Sequence, residues 1–461
     1  MPYEAIEVEL FFAAKSTTQR VRKVSQYRFF FRPLVKYSLI YQAMRFRLIL
    51  LLSLYLVPWL RIPALAQSAS DYRAEGVATV LAHPAGRPSE LPVVRWNTPG
   101  ALKFSFDDLY QRSQVLQYTL VLCSHDWIPS DLLSGDYLAG YLQEPLPSGQ
   151  IAFNTYVPYT HFEAYLPTST LRPTRSGNYL LVVFEDDPST PLLTQRVVFY
   201  EELASVAVDV HRALTPETQK THQEVDFTVG VNQYPVPQPF QDVRAVVYQN
   251  LDFSEQPRSF SPRFVRNDLL DFNFDNGENQ FSGVHEFREW DTKNTQVPSL
   301  FVRRFDLVDG VWNAYVAAEP LRGLERYLFK QDADGVALPR KQNANANVEA
   351  DYLWVDLALD DLEKTGQRRI FAVGAFNGFR PRPEDEMKYD PTTQQYRGRV
   401  LSKQGYFNYW YVEKTEDGWD YSVTEGNHWE TQNTYTVLIY HREWVRRYDR
   451  VIGQAVVRFP R

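Results

Sequence analysis

The stretch GYFNYWYV, residues 405–412, carries five aromatic rings in eight positions: Tyr406, Phe407, Tyr409, Trp410 and Tyr411. Side chains alternate faces along a strand. Tyr406 and Trp410 therefore point one way, and Phe407, Tyr409 and Tyr411 the other. A half-buried strand is apolar on one face only. Two aromatic faces raise the question of what covers the second: core, a shelf for stacked sugars, or another protein. The strand reads as central in a β-sandwich, with one face inside and the other under a linker or a neighbouring domain. A sugar platform is the competing reading.

The same alternation recurs upstream of this stretch. Val225, Phe227, Val229 and Val231 share one parity, with Glu224, Asp226 and Thr228 on the other. Leu102, Phe104 and Phe106 alternate with Lys103 and Ser105, and Leu353, Val355, Leu357 and Leu359 line one face of 352–359. Short strands broken by Pro, Gly and Asn, with little helical periodicity, predict an all-β chain of tandem immunoglobulin-like sandwiches. Two breaks divide it, one near 201–205 and one at the polar run QDADGVALPRKQNANANVEA, residues 331–350. The expected units are a sandwich over 67–203, a second over 204–330, a polar linker over 331–350 and a third sandwich over 351–461.

The first 66 residues read differently. Met44-Arg45-Phe46-Arg47 opens a basic region, Leu48–Val57 is an apolar run broken only by Ser53, and Ala64-Leu65-Ala66 precedes Gln67. This is the pattern of a secretory signal peptide over 44–66, cleaved between Ala66 and Gln67, and it implies an exported protein. Arg61 ends the run too early for a membrane span, which needs about 20 apolar residues. Residues 1–43 form an upstream extension that is not expected to belong to the fold.

Residues 1–66 hold 10 Lys and Arg against 3 Asp and Glu, which leaves 39 against 53 in the rest, a net charge of −14. So acidic a chain lacks the basic surface that nucleic acid requires. One cysteine, Cys123, rules out an intramolecular disulfide. Cys123 and His125 together fall short of the three or four ligands of a zinc site. The acidic run Asp268, Asp271, Asp275 and Glu278 does not have EF-hand spacing, and no HExxH, GxSxG or P-loop pattern occurs. No catalytic residue, metal or cofactor is expected.

Residues 370–433, through IFAVGAFNGF (370–379), QGYFNYWYV (404–412) and EDGWDY (416–421), resemble the early-set, glycogen-binding type of immunoglobulin-like module. That resemblance implies glucan contacts at Phe379, Trp419 and Asn433. The Lys that those modules carry on the hairpin strand is absent, since Tyr409-Trp410-Tyr411 stands there. A periplasmic glycan-binding protein is accordingly the alternative function.

A wider resemblance spans nearly all of 70–461. It rests on HDWIPSDLLSGDY (125–137), NTYVPYTHFEAYLP (154–167), SGNYLLVVF (176–184), HEFREWD (285–291), EGNHWETQNTYTVLIYHR (425–442) and RYDRVIG (447–453), in that order. The chain resembles the plug protein family of the type IX secretion system of Bacteroidota. His285 departs from the Asn common there. The resemblance implies a non-enzymatic periplasmic protein that seals the periplasmic opening of a giant outer-membrane translocon barrel, with no small-molecule substrate and no membrane contact except through that partner. The dense aromatics of the first sandwich, Tyr156, Tyr159, Phe162 and Tyr165, are the expected partner contacts, because Tyr, Trp and Phe are enriched in interface cores.

Overall fold

The computed structural model describes residues 71–460, except 113–114, 254–257, 300, 362 and 365. The extension 1–43, the signal segment 44–66 and the cleavage pair Ala66 and Gln67 lie outside the described residues.

The described chain is all-β and builds three two-sheet sandwiches. In the first, Val77–Pro84, Leu102–Asp108, Thr160–Leu166 and Gln150–Ile151 form one sheet. Val93–Arg95, Leu193–Tyr200, Gly177–Phe184, Gln117–Cys123 and Glu144–Pro145 form the other. Leu102, Phe104 and Phe106 enter the core between them, as the alternation predicts. Gly177–Phe184 is buried at every position. Tyr179, Leu181 and Val183 face that core. Leu180, Val182 and Phe184 face Val246, Tyr248, Leu438 and Tyr440 of the second sandwich. A continuous apolar run is what a strand covered on both faces requires.

The second sandwich sets Ser205–Arg212, His222–Gly230, Leu269–Asp271 and Phe264–Arg266 against a sheet of Arg258–Phe260, Val243–Gln249, Asn433–Glu443 and Tyr448–Phe459. Its second sheet is thus half made of the C-terminal hairpin, with Val247 opposite Val437 in the ladder. The third sandwich lies between these pieces in sequence. Gly405–Lys414 pairs with Arg288–Asp291, Ala337–Pro339 and Ile370–Gly374. Tyr352–Asp360 pairs with Val311–Val316 and Gln395–Lys403 in the facing sheet.

Strand pairing therefore does not follow the expected limits 204–330, 331–350 and 351–461. Strands from 288 onward belong to the third sandwich, and those from 433 onward return to the second. The polar run 331–350 is no free linker: Ala337 pairs with Phe407, and Val336 and Ala337 are buried. Its Asn and Asp content reflects turn geometry instead. Asp334 and Asn343 adopt positive φ, which these side chains tolerate better than most, and Asn345 caps the turn Ala346–Glu349 by accepting from the Asn347 N–H.

Candidate partner-contact surface

The aromatic strand Gly405–Lys414 shows where both its faces go. Phe407, Tyr409 and Tyr411 pack in the third core, Tyr409 with its ring 4.9 Å from that of Trp290. On the other face Trp410 stacks on Phe287 at 3.7 Å and 11°, and its Nε1–H donates to the His285 carbonyl at 3.0 Å. Phe287 belongs to the connection that enters this sandwich from the second one, so the second aromatic face is covered by the chain itself. Tyr406 is half-buried and donates its hydroxyl to Glu289.

The three glucan-contact candidates do not share an exposed surface. Phe379 is buried beside Trp410 and Phe287. Asn433 is buried in the second sandwich, where its Nδ2 donates to Gln223 Oε1 at 3.2 Å and Gly283 O at 3.0 Å, and its Oδ1 accepts from Asn250. Only Trp419 is exposed, edge-on to Phe371, with the Lys414 ammonium 4.7 Å from its ring centre.

The four first-sandwich aromatics divide equally. Phe162 stacks on Phe106 at 5.0 Å in the core. Tyr159 is fully buried, and its hydroxyl donates to Ala350 O at 2.8 Å. Tyr156 is 56% exposed and Tyr165 50%. Tyr156 sits on a segment clamped to the third sandwich. The Asp351 carboxylate accepts the Tyr156 N–H at 3.0 Å and the Val157 N–H at 3.1 Å, and the Phe153 N–H donates to Val348 O at 2.9 Å. The clamp holds the Tyr156 ring edge-on to Trp312 at 6.1 Å. Leu307, exposed, lies opposite Trp312 in the neighbouring strand. Ile151 and Phe153 of the same segment are exposed as well. Sequence reading passed over these two, and over Leu324, Leu328 and Phe329 on the loop before Lys330, all exposed. Large apolar side chains in Pro- and Gly-broken segments were the available signal.

Behind the clamp lies a buried ionic cluster. Lys403 Nζ donates to Asp107 Oδ2 at 2.7 Å, and the Tyr352 hydroxyl donates to the same oxygen at 2.6 Å. His161 Nδ1 stands 2.6 Å from Asp107 Oδ1. The cluster joins the first sandwich to the third, and its ammonium is pulled down by burial while Asp107 opposes the shift. Cys123 is buried too, and burial pushes its thiol up to about 12, so it is no thiolate nucleophile at neutral pH. The surface thus offers aromatic contact area carried on packed sandwiches.

Residues 77–201, the first sandwich from its first strand to just past its last, match the family model described as "Type 9 secretion system plug protein 1st domain". The fold is similar to a crystal structure of a hypothetical protein from Parabacteroides merdae ATCC 43184, with a TM-score of 0.78 and 24% identity over 84% of this chain and 98% of that one. A comparison with curated proteins finds no match. The first sandwich is thereby similar to the first domain of type IX secretion system plug proteins.

Proposed function

We propose that this protein is a non-enzymatic periplasmic subunit of the type IX secretion machinery that binds and seals the periplasmic opening of the giant outer-membrane translocon barrel. The observation that carries the reading is the family match over the whole first sandwich, which already gives the chain a part in type IX secretion. The exposed Tyr156, edge-on to the partly buried Trp312, is the proposed contact, because an aromatic held on a rigid frame loses little side-chain entropy on binding. Among the described residues no helix is long and apolar enough to cross a membrane.

A native pull-down tests the reading. The protein carries a C-terminal tag, the envelope is solubilised in mild detergent, and co-purifying proteins are identified by mass spectrometry. One very large outer-membrane barrel in near-equal amount is the expected result. Recovery of the protein alone, with retention on a polysaccharide column, would overturn it in favour of glycan binding.

A further inference from the structure

The outer face of the second sandwich carries a cluster that neither the family nor the aromatic surface uses. His211 stands opposite Glu224 in the ladder between Ser205–Arg212 and His222–Gly230. Asp226 follows two residues on, so it shares that face. Val225, Phe227 and Val229 turn the other way, into the core. One donor atom from each of His211, Glu224 and Asp226 lies within 4.8 Å of the others.

Hydrogen bonding fixes the state of the imidazole. His211 Nδ1 is 2.9 Å from the Arg212 carbonyl. A carbonyl only accepts, so Nδ1 carries the proton. Nε2 then aims its lone pair at Asp226 Oδ2, 3.2 Å away. Two acceptors facing each other need a cation between them, either a second proton on the ring or a metal ion. Among the described residues neither Glu224 nor Asp226 forms an ion pair with Lys or Arg; the one ionic contact is His211 with Asp226.

The surroundings are those of a ligand shell. A metal-bound imidazole typically donates its other N–H to a carbonyl or carboxylate, and ligating carboxylates are themselves hydrogen-bonded. Here Glu224 Oε2 accepts from Gln280 Nε2 at 3.1 Å and from the Leu214 N–H at 3.2 Å. Asp226 Oδ1 accepts from Asn279 Nδ2 at 2.7 Å. Asn279 is fully buried, its amide lies against the Asp226 carboxylate, and its Oδ1 has no hydrogen-bond partner. The two carboxylates are thus held in place by neutral donors.

We propose that His211, Glu224 and Asp226 bind one divalent transition-metal ion of the Zn²⁺ class, with a fourth coordination position open to water. One imidazole and two carboxylates suit such an ion, whereas Ca²⁺ takes six to eight oxygens and no nitrogen. His211 and Asp226 are partly exposed, which leaves a path for the ion. The bound ion would tie the 213–221 loop, through Leu214 and Glu224, to the sheet.

The purified full chain, stripped with chelator and dialysed, is titrated with Zn²⁺ at neutral pH by calorimetry. One equivalent is expected to bind, with Ca²⁺ failing to compete. Affinity should fall by about 10- to 100-fold or more in His211→Gln and Asp226→Asn. Unchanged Zn²⁺ binding in both variants, or no stoichiometric binding by the wild type, would overturn the site and leave a protonated His211 as the cation. Melts in the metal-free state check that the variants fold. If a variant melts early, wild-type protein decides: bound Zn²⁺ should protect His211 from diethyl pyrocarbonate, as read by mass spectrometry, and equal modification with and without Zn²⁺ would refute the proposal.

Discussion

Two junctions hold the third sandwich to its neighbours, and they are built from opposite chemistry. Toward the second sandwich the seam is apolar: Phe287 stacked on Trp410, with Phe379, Val373 and Val412 around them. Toward the first it is ionic: Lys403, Asp107, His161 and Tyr352 in one buried cluster. The apolar seam gains from area and packing, which degrade gradually when a ring is trimmed. The ionic seam gains only while every partner is present, because a charge left alone in the interior keeps its desolvation penalty and loses its compensation.

The largest expected effect follows from that asymmetry. Lys403→Met leaves the Asp107 carboxylate buried with only His161 and Tyr352, and should lower unfolding stability by about 3–5 kcal/mol. Chemical denaturation measures it. The double variant Lys403→Met/Asp107→Leu should recover a large part of the loss, since the uncompensated charge is gone. Equal losses in the single and double variants would show that the seam is held by shape rather than by charge.

The apolar seam should yield less to a comparable insult. Phe287→Leu keeps most of the volume but loses the stack on Trp410, and should cost about 1–2 kcal/mol. A loss as large as that of Lys403→Met would erase the distinction between the two seams.

Acid separates two groups beside the apolar seam. Burial, with Arg322, His428 and Arg288 nearby, lowers His285 from 6.5 to about 3. Its depressed value means that the unfolded chain binds the extra proton first, so this group removes stability as pH falls through 6.5 toward 3. Asp332, which accepts the Phe287 N–H, is raised by burial from 3.8 to about 7. There the folded chain binds the proton first, so this group adds stability as pH falls from 7 toward 3.8. The two oppose each other in the wild type between pH 7 and 5.5. His285→Asn should make the protein gain about 1 kcal/mol relative to wild type over that interval. Asp332→Asn should make it lose stability there instead. Melting profiles of both variants at the two pH values check the signs, and parallel profiles would refute both shifts.

Much of the strand layout is readable from parity. Leu353, Val355, Leu357 and Leu359 all enter the third core, and the two faces of Gly405–Lys414 separate as the alternation predicts. Parity says which side chains share a face, not what covers that face. Ser105 looks like a solvent-side residue between Phe104 and Phe106, yet it and Asp107 are buried because the third sandwich lies over them. Glu224 and Asp226 read as the wet side of their strand, and nothing local announces that His211 will face them. The return of Asn433–Glu443 to pair with Val243–Gln249 is equally non-local, since any alternating strand of that length would fit. Among the aromatics, parity along Thr160–Leu166 already separates Phe162 from Tyr165. Tyr156 and Tyr159 lie before the strand begins, where alternation has no force, and only the Asp351 clamp decides that one ring is exposed and the other buried.

That clamp sets the smallest expected change in stability and the sharpest functional one. Tyr156 is held by its backbone N–H, which Asp351 accepts, and not by its ring. Tyr156→Ala keeps that bond and removes a half-exposed ring from the edge of Trp312. The change in unfolding stability should stay within about 0.5 kcal/mol, as for surface substitutions generally. Tyr159→Ala, by contrast, empties a fully buried site beside Lys403 and should destabilise by about 3 kcal/mol or more. If the exposed face is the partner contact, Tyr156→Ala lowers recovery of the barrel in the pull-down while its melting temperature is unchanged. If recovery falls only in the variant that melts early, the exposed ring contributes nothing to binding, and the contact lies elsewhere, with the exposed Leu324, Leu328 and Phe329 loop next to be tested.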